Sequence, residues 1–163
     1  MPKTFRPGSV GALMDEYEHA ALEMKNILAS MTEGEYLTIV DPNAKNADLQ
    51  SIYSMTRHVI GAGYGYAVYI SAALGKPLER PKAVPSPFSD FAKNIDLMLA
   101  FSDSVLQPHY SMPEDNMDTI TMASPWKISY TLDQMLEHAV CHIHRHRRQM
   151  EKFLSLIRSQ THS

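Results

Sequence analysis

Apolar residues recur at spacings of three and four along four stretches of the chain, which is the pattern of amphipathic α-helices. The stretches cover residues 10–31, 47–74, 89–106 and 131–157, to within a few residues at each end. No strand ladder accompanies them in the pattern. We therefore predict an all-α protein, with one domain over residues 1–163 that forms a four-helix bundle of up-down helices.

Turn-forming residues separate the four helices and predict long connections between helices one and two and between helices three and four. Residues 36–40 have strand propensity but no obvious hairpin partner, so we interpret them as an extended connection that ends at Asp41-Pro42-Asn43. Four prolines predict a loop over residues 75–87. Residues 107–129 are predicted to form another connection, and loops of this length are uncommon unless they serve a site.

Composition and charge narrow the class of protein. Hydrophobic residues make up 44% of the chain and charged residues 20%, which is ordinary for a globular domain. The net charge of −3 argues against a nucleic-acid-binding protein, which usually carries a basic excess. We expect the basic run at residues 144–148 to be a solvated helix surface. No apolar run approaches the roughly 18 residues of a membrane span, so none is predicted.

The chain has one cysteine, Cys141, so an intramolecular disulfide is impossible and a reducing compartment is expected. Residues 1–9 lead into no apolar segment of the kind found in signal peptides. We therefore expect a cytoplasmic location. Methionine is abundant, with 11 residues, and its flexible side chain is typical of the core between packed helices.

Histidines are concentrated in the fourth helix, where four of the eight lie. His138, His142 and His146 are spaced by four, and side chains four residues apart lie on one face of a helix. Two imidazoles at this spacing can bind one metal ion, and neutral imidazole suits zinc, nickel, copper and iron. The spacing therefore indicates a metal site on this helix.

The position of each histidine relative to the apolar face ranks the candidates, because each residue advances about 100° around a helix. His146 lies nearest the centre of the apolar face, His142 lies somewhat off it, and His138 lies at its edge. His144 points well away. We predict His142 and His146 as ligands, and His138 as a third ligand, a partner of a ligand, or a base beside the substrate.

A zinc site needs at least a third protein ligand, and water often takes the fourth position. From the residues alone the candidates are His58, His19, His109 and the acidic side chains. His58 has two features in its favour. It lies in the middle of the second helix, and small residues that follow it leave room beside the ring.

Two strings of residues resemble one known family. Residues 135–149, Met-Leu-Glu-His-Ala-Val-Cys-His-Ile-His-Arg-His-Arg-Arg-Gln, resemble the DinB-like (DinB/YfiT) superfamily, whose His-x-x-x-His pair runs into a His-Arg-Gly-Gln-like end. His142 and His146 match the pair, and Arg147-Arg148-Gln149 match the end, with an arginine in place of the usual glycine. Residues 57–67, Arg-His-Val-Ile-Gly-Ala-Gly-Tyr-Gly-Tyr-Ala, are similar to the family's second-helix histidine region. The order and length of the helices also fit, so the resemblance covers nearly the whole chain.

The resemblance implies a four-helix bundle with one divalent metal ion, usually zinc or nickel, bound by His58, His142 and His146. His138 also has counterparts in the family and is the alternate ligand. The family often forms dimers, so a homodimer is expected. Some relatives are metal-dependent transferases that use a low-molecular-weight thiol, and others have no known reaction. The family's name reflects induction by DNA damage, and nothing in this sequence argues for polymerase or nuclease activity.

An enzyme is our first functional hypothesis, either a thiol transferase or a metal-dependent hydrolase acting on a small molecule. His138 or Glu137 would carry the proton in such a reaction. Tyr64, Tyr66 and Trp126 would line the substrate pocket, although ordinary packing also explains these aromatic residues.

Two further hypotheses need no catalysis. In one, the chain is a metal-binding stress-response protein whose site is closed by a fourth ligand such as His138. In the other, the bundle binds no metal and acts through dimerisation, with its histidines bonded to carboxylates and carbonyls. Cys141 is expected to be an exposed thiol and not a nucleophile, because it points away from the apolar face and adjacent helix residues do not face each other.

Overall fold

The computed structural model describes residues 4–82 and 86–161, which fold predominantly into α-helices. The helices are α1 (Gly8–Ala29), α2 (Glu33–Leu37), α3 (Ile52–Ala73), α4 (Phe91–Leu106), α5 (Glu114–Met117) and α6 (Leu132–Thr161). Two strands, β1 (Thr121–Ala123) and β2 (Ser129–Thr131), pair antiparallel. Short 3-10 turns lie at Ala47–Leu49, Phe88–Asp90 and Gln107–His109. The predicted all-α class is confirmed, with a small sheet added to it.

The four long helices pack against one another in pairs. Helix α1 contacts α6 and α4, and α3 contacts the same two helices. The fully buried side chains between them include six methionines: Met14, Met24, Met55, Met98, Met135 and Met150. The prediction that methionine fills the core is therefore confirmed. Within the described ranges, no helix has the length and apolar character needed to cross a membrane.

The helix ends differ from the predicted ones where polar side chains bond to the backbone. Helix α3 begins at Ile52, because Ser51 accepts a hydrogen bond from the backbone amide of Ser54 and so caps the helix. The preceding Ala47–Leu49 turn is separate, and Asn46 caps it. Helix α6 continues to Thr161, four residues beyond the predicted end.

The prediction of an extended connection at residues 36–40 is wrong in its first part. Helix α2 forms there because Thr32 and Glu35 make a capping box: the Thr32 amide donates to the Glu35 carboxylate at 2.7 Å, and the Glu35 amide donates to Thr32 Oγ1 at 3.2 Å. This helix buries Tyr36, whose hydroxyl donates to the carbonyl of Ser86 at 2.9 Å.

The connection over residues 107–129 contains more regular structure than predicted, because α5 and most of the β1–β2 hairpin lie within it. The hairpin aligns Thr121 with Thr131 and Ala123 with Ser129. At its tip the Lys127 amide donates to the Ser124 carbonyl at 3.0 Å, which closes a turn that has proline in its second position. Of the predicted 75–87 loop, residues 76–82 and 86–87 contain no helix or strand, and residues 83–85 lie outside the described part.

Gly63 lies in α3 next to the buried side chains of Met98 on α4 and Tyr17 on α1. A Cβ atom there would lie 2.3 Å from Met98 Sδ and 2.7 Å from the hydroxyl of Tyr17. Real Cβ atoms do not approach other atoms so closely, so a side chain at position 63 would force the side chains of Met98 and Tyr17 to shift.

We expect the substitution Gly63→Ala to lower the free energy of unfolding by about 1–3 kcal/mol, because the overpacked core must shift Met98 and Tyr17. Urea denaturation measures the change. Gly34→Ala is the matched control, since a Cβ atom at that position meets nothing closer than 3.9 Å. A Gly63→Ala protein as stable as the parent would contradict the close approach.

Candidate metal centre

Three imidazole rings converge between α3 and α6. The Nε2 atom of His142 lies 3.1 Å from Nε2 of His58 and 3.2 Å from Nε2 of His146. All three candidate ligand atoms lie within 4.8 Å of one another. The structure thus brings together the three histidines predicted as ligands, and these residues could hold a metal ion.

Hydrogen bonds alone do not satisfy this arrangement. A neutral imidazole nitrogen carries either one hydrogen or one lone pair in the ring plane. Nε2 of His142 faces two other nitrogens, so it can make one of those contacts as a good hydrogen bond and leaves the other unsatisfied. A cation placed among the rings would accept all three lone pairs at once.

The spacing of the nitrogens also fits a metal ion. At metal–nitrogen distances of about 2.0–2.1 Å, two ligands of a tetrahedral zinc site lie about 3.3–3.4 Å apart. The observed separations of 3.1 and 3.2 Å are close to this value. Small rotations of the imidazole rings would therefore suffice to bind the ion.

Asp48 orients the ring of His58. Its Oδ2 atom lies 3.2 Å from Nδ1 of His58, and the Ala47–Leu49 turn holds it there. A carboxylate at this position accepts the Nδ1 hydrogen, which leaves the lone pair of Nε2 facing the other two histidines. Histidines that bind metals commonly have such a partner.

Burial keeps the two α6 histidines in the neutral form that binds metals. The exposed fraction is 5% for His142 and 3% for His146. Burial, with the neighbouring rings of His146 and His58, lowers the pKa of His142 to about 2. Burial, with the ring of His58, lowers the pKa of His146 to about 4. Both imidazoles are therefore neutral near pH 7.

The other ring nitrogen of His146, Nδ1, is also buried. Nδ1 of His146 and Oε1 of Gln149 are both buried, and neither has a hydrogen-bond partner among the residues that the structure describes. The two side chains lie three residues apart on α6, where they are neighbours. A small rotation of the amide would let Gln149 accept the Nδ1 hydrogen, which matches the role of Asp48 at His58.

His138 lies beside the three rings and not among them. Its ring stacks on Trp126 with the centroids 5.7 Å apart, and the edges of Tyr66 and Tyr130 pack against it at 5.4 and 5.3 Å. Its centroid is 6.1 Å from that of His142. Burial and the charge of a nearby arginine lower the pKa of His138. This neutral imidazole is placed to accept a proton beside the centre.

A cavity of about 410 Å³ opens next to the three histidines. Its wall includes His138, the three converging histidines, Gly61, Ala62, Gly65, Tyr66, Tyr69, Arg80, Trp126, Arg145 and Gln149. The small residues of α3 make room for it, and the β1–β2 hairpin supplies Trp126. The centre is therefore accessible to a small molecule.

Several predicted candidates lie elsewhere. His19 is exposed beside Glu16, and His109 borders a different cavity, so neither is brought to the centre. His144 faces outward, 3.6 Å from Glu23. Of the histidines that the sequence offered as a third ligand, the fold therefore places His58, and not His19 or His109, beside His142 and His146.

Three other predictions had different outcomes. Glu137 is exposed and lines a separate groove with Asp133, so the structure does not bring it to the three histidines. Tyr64 packs on Phe101, away from the cavity, and only Tyr66 and Trp126 line it as predicted. The predicted exposure of Cys141 is confirmed.

Asp48, Tyr69, Arg80 and Arg145 are site residues that sequence reasoning missed. Asp48 and Arg80 lie in turns and loops, where no periodicity indicates which way a side chain points. Arg145 was included in a basic run that we expected to be solvated. Its position three residues after His142 was a signal that could have been used, because such residues are neighbours on a helix.

Comparisons with known proteins leave the family open. No protein-family model matches the chain, and a search of the curated proteins finds no match either. The resemblance to DinB-like proteins therefore stays a prediction, based on the two strings around His58 and His142.

The depressed pKa values predict that the metal-free protein loses stability in mild acid. Below about pH 6.5 the unfolded chain binds protons on His142 and His146, whereas the folded chain does not until about pH 4 for His146 and lower for His142. Stability should therefore fall as the pH falls from 6.5 to 4, by up to about 1.4 kcal/mol per pH unit for each histidine.

Urea denaturation in the presence of a chelator, repeated across this pH range, measures the effect. We expect His142→Gln to give a shallower dependence and His19→Gln, an exposed position, to leave it unchanged. A stability that is flat over this range would show that the rings are not held neutral by burial.

Proposed function

We propose that the chain binds one divalent metal ion through His58, His142 and His146. The convergence of their three Nε2 atoms, at 3.1 and 3.2 Å from the central one, is the observation that carries this proposal. Three neutral imidazoles suit zinc, nickel, copper and iron. The resemblance to DinB-like proteins favours zinc or nickel among these. The lone cysteine is consistent with the reducing cytoplasm, which we propose as the location.

We further propose that the four long helices form a bundle of the DinB-like kind. The pairwise packing of α1 and α3, each against α4 and α6, supports this arrangement. The site also has the family's expected composition, with one histidine from the second long helix and an i, i+4 pair from the last. A homodimer is part of the same proposal and rests on the resemblance alone.

An open site suits chemistry on a small molecule better than a purely structural role. Three histidines converge, His138 stays in its aromatic cluster, and the cavity of about 410 Å³ leaves the remaining side of the centre accessible. A structural zinc site would instead have four protein ligands. We therefore favour an enzyme over a non-catalytic metal-binding protein.

The reaction we propose is transfer of a low-molecular-weight thiol to a small molecule. The thiol sulfur would form a bond to an electrophilic carbon of that molecule while the bond from the same carbon to its leaving group breaks. A divalent cation lowers the pKa of a thiol or a water that binds to it, which makes either one a better nucleophile near pH 7. His138, neutral and beside the centre, would accept the proton. Trp126 and Tyr66 would position the small molecule. Because the cavity admits water as readily as a thiol, hydrolysis is the second candidate.

Metal content of the purified protein is the first test. We expect about one zinc or nickel ion per chain by elemental analysis, as one three-histidine site requires. The His58→Ala variant and the His142→Ala/His146→Ala double variant should lose the metal, because each removes a converging nitrogen. His144→Ala is the matched control on the same helix and should keep it. If the wild-type protein contains no metal, even after dialysis against zinc and nickel, the proposal is overturned.

Asp48→Asn tests the orientation of His58 separately. Loss of a carboxylate behind a metal-binding histidine typically weakens metal affinity by 10- to 100-fold, and because Asp48 is more than half exposed we expect about tenfold. Competition with a chromophoric chelator measures the affinity. Asp115→Asn removes the same charge from an exposed position on α5 and should have no effect. Equal affinities in the two variants would mean that Asp48 does not orient the ligand.

A further inference from the structure

The wall of the cavity beside the three histidines is positively charged, although the chain as a whole is acidic. The net charge of the chain is −3. Among the described residues that line the cavity, Arg80 and Arg145 are charged and no aspartate or glutamate occurs. Asp48 bonds to the far side of His58 and is not part of the wall. A bound divalent cation would make the cavity still more positive.

Neither arginine of the wall has a carboxylate partner among the described residues, unlike Arg6, Arg147 and Arg158. Arg6 and Arg147 each form an ion pair with a carboxylate. Arg145 has no ion pair or hydrogen bond with any residue that the structure describes. Arg80 donates one hydrogen bond, to the carbonyl oxygen of Gly61 at 2.5 Å. A guanidinium group has five N–H donors, so most of the donors of both groups are available to a ligand.

Both guanidinium groups are close to the proposed metal centre. Arg145 lies three residues after His142 on α6, and both side chains line the cavity. Arg80 is anchored to Gly61, three residues after His58 on α3. A molecule that reaches the three histidines therefore enters a space bordered by both cations.

The rest of the wall is suited to an organic molecule and not to a bare ion. Trp126 packs edge-on against Tyr66 and Tyr69, with the ring centroids 6.5 Å apart in both pairs, and all three aromatic residues line the cavity. We propose that the small molecule bound here carries a carboxylate held by Arg145 and Arg80, while its apolar part packs on Trp126. This inference rests on the proposed function, because it takes the cavity to be the substrate site.

A carboxylate fits this wall better than a phosphate. The planar fork of a guanidinium group binds two oxygens of either a carboxylate or a phosphate, so the remaining donors decide between them. Phosphate sites commonly add backbone amides at the start of a helix. None of the described lining residues belongs to the first turn of one of the four long helices. The arginines are therefore the charged donors available, and one carboxylate would occupy them.

Trp126 provides a direct measure of binding, since it is the one tryptophan of the chain and lies in the cavity wall. We would titrate the full chain with benzoate and with benzamide, its neutral counterpart, and follow the fluorescence of Trp126. The titrations are made on the protein as purified and again after chelation, because a carboxylate could also bind a metal. We expect benzoate to bind at least about tenfold more tightly in both preparations.

Substitution of the arginines tests whether their charges cause the preference for benzoate over benzamide. Arg145→Gln should reduce the preference for benzoate by about tenfold, and Arg80→Gln should reduce it in the same direction. Arg148→Gln is the matched control, because it removes an equal charge from an exposed position on α6 outside the cavity wall. Circular dichroism checks that each variant is folded.

The outcomes separate this inference from the proposed metal site. If metal is present but benzoate and benzamide bind equally, or Arg145→Gln matches Arg148→Gln, the carboxylate inference fails and the metal site stands. If no metal is found but the preference depends on Arg145, the inference about the cavity survives the failure of the metal site. Displacement of benzoate by inorganic phosphate at lower concentration than by acetate would overturn the choice of a carboxylate.

Discussion

Three imidazole rings, two of them buried, bring a nitrogen to the same small space, and the rest of the site is built around this constraint. Each neutral ring brings one hydrogen or one lone pair to the contact, so the three cannot satisfy one another. Protonation of a ring would supply a further hydrogen-bond donor, but burial opposes a charge on His142 and His146. A shared cation is the chemical solution that uses all three lone pairs. For that reason the geometry supports a metal-binding protein more strongly than it supports any particular reaction.

The scaffold keeps the rings in place with interactions from both helices. Helix α6 carries His142 and His146 on its buried face, and its packing on α3 brings His58 to them. Gly63 leaves room beside α3 for the buried side chains of Met98 and Tyr17. Asp48 then sets the ring orientation of His58. The centre is thus held between two helices and is open toward the cavity.

The chemistry that the cavity favours follows from its mixed wall. One part is aromatic, with Trp126 stacked on a neutral His138, and another part is cationic, with Arg80 and Arg145. An apolar surface next to unpaired guanidinium groups suits a small organic anion. Such a molecule would be oriented by its charge at one end while its reacting group lies near the histidines, and this positioning is a large part of what an enzyme contributes.

Local periodicity let the sequence determine the helical class, the four long helices and the pairing of His142 with His146, since residues four apart share a face in any α-helix. The same local logic would have found α2, whose Thr32-x-x-Glu35 capping box lies in plain sequence. The third ligand, His58, could not be identified in this way. The helical wheel left His58 among several candidates, and Asp48, Arg80 and the β1–β2 hairpin gave no sign of their roles. Only the packing of α3 on α6 decided these, because side chains distant in sequence meet through contacts between helices and loops that no local pattern encodes.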